Sequence, residues 1–180
     1  ALPTATPPPP TVTPTATAVV FLSTPPPTQP PVPILTPDAI QVERWQEYQT
    51  ELIKAVLSGY DPALYKYALC EWDILGRSGQ EVYVWAYCAT MGGSGSFPTV
   101  IYLETDGTIR SVRVARYNGP FFDLELFPAD VQKKCSLYTG NSLFYGRLKE
   151  IINHLHYRRE HPKEPPLVVL SAMPTATLTP

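Results

Sequence analysis

Three cysteines, three histidines and two strand-spaced carboxylates are the residues through which this 180-residue chain could do chemistry. His154, His156 and His161 invite a metal reading, but two residues apart on a helix is a rotation of about 200°, so His154 and His156 cannot easily share an ion. Beside Arg158 and Arg159 they read as a solvated, weakly basic helix end that complements the C-terminal dipole. Glu71 and Asp73 fall on one face of a strand, yet no acid, base or nucleophile signature accompanies them, and a solvated or edge-facing pair is the expectation. Ser94 and Ser96 lack a nucleophile elbow. Gly92-Gly93-Ser94-Gly95-Ser96 is followed by a strand and by no Gly-Lys-Ser/Thr, so it reads as a mobile connector and not a phosphate loop. Cys135 follows Lys133-Lys134, whose charges favour a thiolate, but a lone thiol is equally compatible with burial or pairing between chains. Chemistry at these positions has little support. The expectation is a protein that is not an enzyme, with no cofactor and no metal.

The elements that position these residues follow from periodicity. Thr36-Pro37-Asp38 reads as a helix start with Thr36 as N-cap and Pro37 at the first helical position, and Val42, Trp45, Tyr48, Leu52, Ile53, Val56 and Leu57 recur at helical spacing up to Ser58-Gly59. The period then becomes two. Tyr67 to Leu75 and Val82 to Ala89 flank a turn with Gly76 and Gly79, which predicts a hairpin. Setting Cys70 opposite Cys88 also sets Trp72 against Ala86 and Ile74 against Val84, so one register matches two apolar faces and brings two sulfurs together. A disulfide between Cys70 and Cys88 is expected, with Cys135 unpaired. A second hairpin runs from Thr99 to Glu104, turns at Asp106-Gly107 in an expected type I′ turn, and returns from Ile109 to Ala115. A short helical turn begins at Phe127-Pro128-Ala129-Asp130-Val131. A final helix is predicted from about Ser142 to Arg159, closed by His161-Pro162. The fold class is α+β: an N-terminal helix, a four-stranded antiparallel meander and a C-terminal helix, with the helices expected on one face of the sheet. The opposite stripe, Tyr83, Trp85 and Tyr87, is by default core packed under the helices, since aromatics at strand spacing usually are, and is otherwise the candidate exposed aromatic surface. If both hairpin faces are apolar, two covers are needed.

Charge divides the chain. Every Asp, Glu, Lys and Arg lies between Asp38 and Glu164, leaving an uncharged Pro/Thr-rich segment at each end. The expected organisation is an extended tail over 1–36, one α+β domain over 37–164 and a second tail over 165–180. Pro removes backbone donors, and Thr-Pro repeats favour extended chain with little apolar surface to offset ordering entropy. Each tail nevertheless holds an apolar island: Ala18, Val19, Val20, Phe21 and Leu22 in the first, and Leu167, Val168, Val169 and Leu170 in the second. Both read as short strands in need of a partner sheet edge. A net charge of −2 offers no field for nucleic acid, and no apolar run is long enough to span a bilayer. The opening Ala1-Leu2-Pro3 looks like a processed product. Thr/Pro tracts are typical of extracellular stalks carrying O-linked sugars, for which Thr4, Thr6, Thr11, Thr13, Thr15, Thr17, Thr24 and Thr28 are candidates; the chain has no Asn-x-Ser/Thr sequon.

The hairpin stretch LCEWDILGRSGQEVYVWAYC, with its Thr/Pro-rich leader, resembles segments of uncharacterised secreted proteins of filamentous bacteria. The resemblance implies an extracellular bacterial origin and no activity. Two functions are expected from the residues. In the first, the chain is a structural subunit that polymerises into a pilus-like filament by donating a tail strand to the next copy, its partner being itself. In the second, it is an envelope-tethered binding or adhesion module on Thr/Pro stalks, recognising a glycan or small ligand through Tyr83, Trp85 and Tyr87.

Overall fold

The computed structural model describes residues 34–118, 121–139 and 142–173. Two helices open it, α1 (Ala39–Glu43) and α2 (Trp45–Val56), separated at Arg44. The N-cap is Asp38, not Thr36: its carboxylate accepts from Gln41 N–H at 2.8 Å while the Gln41 side chain accepts from Asp38 N–H at 3.1 Å. This reciprocal pair explains why the start lies two residues beyond the expected one. Asp61 caps a 3₁₀ turn over Pro62–Tyr67.

Four strands follow, β1 (Leu69–Ser78), β2 (Glu81–Ala89), β3 (Ser94–Leu103) and β4 (Ile109–Val114), paired antiparallel in the order β1-β2-β3-β4. The first register is the expected one: Cys70 faces Cys88, Trp72 faces Ala86 and Ile74 faces Val84. The hairpin loop is shorter than its glycines imply, because the strands continue to Ser78 and Glu81 and leave only Gly79 and Gln80 to turn, Gly79 at φ 56°. A bulge at Leu75 displaces the register before Gly76. Gly76 is required there, since a Cβ would lie 2.6 Å from Val131 Cγ2.

Two further turns depart from expectation. The Asp106-Gly107 turn is not type I′, because only Gly107 has positive φ, at 80°. Glu104 N–H instead donates to Thr108 O at 2.8 Å, and Asp106 Oδ1 accepts from Thr108 N–H and Oγ1–H at 2.9 and 2.6 Å. The glycine-rich stretch Gly92–Ser96 is not a plain connector either. Ser94 to Ser96 already pair with Tyr87 to Ala89, and Tyr60 lies so close to Gly93 that a Cβ would sit 2.3 Å from its ring.

Beyond β4 come the short pair β5 (Tyr117–Asn118) and β6 (Phe121–Phe122), then α3 (Ala129–Thr139), α4 (Ser142–Glu160) and α5 (Leu167–Leu170). The helices do not share one face of the sheet. Tyr48, Leu52 and Val56 of α2, with Val168 and Val169 of α5, cover Trp72, Ile74, Val84 and Ile101. Val131, Cys135 and Tyr138 of α3, with Phe127, cover Leu75, Tyr83, Trp85 and Val100. Both faces of the central hairpin are apolar, so each needs a lid, and the chain supplies two. Among the described residues no helix is long and apolar enough to cross a membrane.

Candidate functional site

A sheet of four strands has two edges, and this chain treats them oppositely. Cys70 and Cys88 are joined by a disulfide with a Cα separation of 4.1 Å, the close spacing of a non-hydrogen-bonded pair. By alternation Cys70, Trp72 and Ile74 direct their backbone groups away from β2, toward the β1 edge. That edge is sealed along much of its length. Leu35 N–H donates to Ile74 O at 2.8 Å, and Arg158 Nη1–H donates to Cys70 O at 2.7 Å.

The seal is anchored by charge. Glu71 and Asp73, expected in solvent, are each 1% exposed. Glu71 Oε1 accepts from Arg158 Nη1 at 2.9 Å and lies 2.8 Å from His154 Nδ1, while Oε2 accepts from Leu167 N–H at 2.7 Å. Asp73 accepts from Tyr138 Oη at 2.8 Å and takes Arg147 in a two-point pair at 3.0 and 2.5 Å. Arg158 has no exposure at all, and it also reaches Gln49 Oε1 at 2.5 Å and Glu164 O at 2.9 Å. Burial pulls its pKa down and Glu71 opposes that pull. Burial, then the charge and hydrogen bond of Asp73, push the Tyr138 hydroxyl far above its ordinary range, so it stays a donor. The strand carboxylates thus dock α3, α4 and α5 onto β1. The histidines divide accordingly: His154 faces Glu71, His161 stacks on Tyr157 with centroids 4.1 Å apart, and His156 is exposed.

The second apolar island is part of this seal. Leu167–Leu170 forms α5, not a strand, on its own domain, with Pro166 as N-cap. The neighbours Val168 and Val169 are both buried, which a strand lying on one surface cannot achieve. The carboxylate of Glu71 at the first N–H of α5 supplies the missing cap. Residues 165–173 therefore belong with the domain and are not tail.

The β4 edge is the contrasting case. Trp85 pairs with Asp73 on one side and Pro98 on the other, and the alternation that follows turns the N–H and C=O groups of Val112 and Val114 outward. Among the described residues neither has a backbone partner beyond β4. Beside this edge lies a groove of about 480 Å³ walled by Ala55, Val56, Ser58, Phe97, Val112, Val114 and Ala115, with Arg116 and Tyr117 also lining it. Tyr117 is 63% exposed, and its ring lies 4.3 Å from Phe122 and 5.9 Å from Phe97, centroid to centroid.

The aromatic stripe is covered, as its strand spacing implies by default, and is not the exposed surface it was a candidate for. Tyr83 and Trp85 are 2% and 3% exposed; Trp85 stacks on Tyr138 at 4.8 Å and donates to Ser96 Oγ at 2.9 Å, while Tyr87 is half-buried. The α3 helix covers them because its apolar side meets the same face. The exposed aromatics among the described residues include Tyr60, Tyr67, Tyr117 and Tyr157, and Tyr117, the one beside the β4 edge, stands outside any strand-period stripe and carried no sequence signal. Cys135 is unpaired and buried, and burial pushes its thiol up to about 12 despite Lys133 and Lys134. No group of three or more His, Cys, Asp or Glu placed to hold a metal ion occurs among the described residues. Ala18–Leu22 and the candidate glycosylation threonines lie outside the described residues.

No protein-family model, curated protein or solved structure matches this chain.

Proposed function

We propose that this chain is a non-enzymatic structural subunit, secreted and carrying O-linked sugars on its tail threonines, that assembles head to tail into an extracellular filament by strand donation. The observation that carries this reading is the contrast between the two sheet edges. The β1 edge is closed by the chain's own Leu35, Arg158 and α5, whereas among the described residues β4 leaves the outward groups of Val112 and Val114 without a backbone partner, beside a groove of mixed apolar and polar lining. An unpaired edge with a neighbouring groove is the receptor half of strand addition, in which main-chain bonds supply affinity and alternate side chains supply specificity.

The placement of the ends favours a neighbour. Ile34 and Ser171 line one cavity together with Leu35, so the described chain begins and ends on the β1 side. The β4 edge is three strand spacings away, about 14 Å. A donor leaving one side of the sheet and an acceptor on the other make a heterologous contact, which propagates unless its rotation closes a ring. The envelope-tethered binding module is the competing account, and burial of Tyr83 and Trp85 counts against the aromatic face on which it stood.

Electron microscopy of the full chain at high concentration tests the reading. Fibres with an axial repeat near one domain diameter are expected. Dispersed single particles at all concentrations, with the sheet intact by circular dichroism, would refute it.

A further inference from the structure

Resting on the strand-donation reading, we infer that the occupant of the β4 edge is Ala18–Leu22 of a second copy, with Val19 and Phe21 directed into the groove between α2 and β4. The alternation rules of a sheet set this parity. A strand hydrogen-bonded to the outward groups of Val112 and Val114 places its own bonded residues opposite them, and opposite residues share a face. The face of Val112 and Val114 is the one that packs with α2, where Ala55, Val56 and Ser58 wall the groove. Two donor side chains spaced by two residues therefore enter it.

Val19 and Phe21 are such a pair. Phe21 is the largest apolar side chain of the island, and the groove offers it the half-buried ring of Phe97 and the exposed ring of Tyr117. The neighbouring pocket along the edge is more charged, with Arg113, Asp123 and Glu125 beside Val114 and Leu126, and Arg116 lies between it and the groove. The island also has the right length, since its five residues cover the two bonded positions and one on each side, and Pro14 and Pro25 stop pairing from spreading.

The leash argues for a second copy. Six of the eleven residues between Leu22 and Ile34 are Pro. Pro-rich sequence of this kind favours an extended over a compact chain, which favours an occupant from another copy. Arg110 and Arg113 on β4 discourage sheet-to-sheet pairing of two β4 edges, while an uncharged donor meets no repulsion there.

The test is a cysteine cross-linking series between full-length chains. Ser58→Cys, at the groove wall, is mixed with size-tagged chains carrying one cysteine at Ala18, Val19, Val20, Phe21 or Leu22, and disulfide-linked mixed dimers are counted on denaturing gels. Cys135 is buried and does not compete. Mixed dimers at least five-fold more abundant from Val19→Cys and Phe21→Cys than from the other three are expected. Equal or reversed yields, with fibres still visible by microscopy, would overturn the parity while leaving the filament. Linkage found only within a single doubly substituted chain would overturn the second copy as occupant. Absence of both linkage and fibres would sink the inference and the reading it rests on. Val112→Pro serves as an independent variant. It removes one outward N–H not used within the sheet, so fibres should be lost with the melting temperature of the domain held within a few degrees; fibres that persist would overturn assignment of the donor to this edge.

Discussion

Replacing Glu71 by Gln keeps the shape of the side chain and removes one charge from the most enclosed ionic group in the fold. The wild-type carboxylate serves three partners: Oε1 meets Arg158 and His154, and Oε2 takes Leu167 N–H. An amide has one acceptor oxygen and one NH₂. Turned one way it points donors at the first turn of α5; turned the other it points them at a guanidinium with no exposure. Arg158 keeps Cys70 O, Gln49 and Glu164 O, and its guanidinium lies over Trp45 at 5.4 Å, but none of these carries a full negative charge. Leaving a buried cation without its counter-ion costs about 3–5 kcal/mol. For a folded part of about 140 residues, with unfolding entropy near 2.1 cal/mol/K per residue, that is a fall in Tm of about 10–17 °C. Urea unfolding followed by tryptophan fluorescence is the assay, because Trp45, Trp72 and Trp85 are all buried. A double variant, Glu71→Met with Arg158→Met, should recover only part of the loss, since Cys70 O and Glu164 O are then left without their donor. A single-variant loss below about 1 kcal/mol with an unchanged m-value would refute the view that this ion pair staples α4 and α5 to β1.

Three further outcomes are expected. Cys135 should resist thiol reagents in the native protein at pH 8, where a group raised to about 12 is protonated, and react at once in urea; prompt native labelling would contradict its burial. Gly76→Ala should destabilise by about 1–3 kcal/mol through overpacking, and Val131→Ala in the same chain should relieve much of it; additive losses in the double variant would argue against the contact. Exchanging both Cys70 and Cys88 for Ala should cost about 2–4 kcal/mol in urea unfolding, measured against the oxidised protein, while reduced and oxidised wild type of equal stability would contradict a constraining role.

Local rules carried the sheet. Cys70, Trp72 and Ile74 alternate against Val84, Ala86 and Cys88, and because side-chain direction in a strand repeats every two residues, one register satisfied both faces and the sulfurs before any tertiary contact was considered. The helical run of α2 was legible for the same reason, its apolar residues recurring with the helix period. Its start was displaced because Asp38 and Gln41 cap each other, a choice between adjacent cap residues that composition does not rank.

What tertiary structure alone decided is the fate of groups whose periodicity is neutral. Glu71 and Asp73 look solvated in sequence because their partners Arg147, His154 and Arg158 lie more than seventy residues away on α4. Leu167–Leu170 is too short for its period to distinguish strand from helix, and the carboxylate that caps it comes from β1. Tyr83 and Trp85 are aromatic at strand spacing whether exposed or covered; only the arrival of α3 buries them. The openness of β4 follows from the same physics. An edge is defined by what fails to pair with it, and that is a property of the assembled sheet which no strand carries in its own residues.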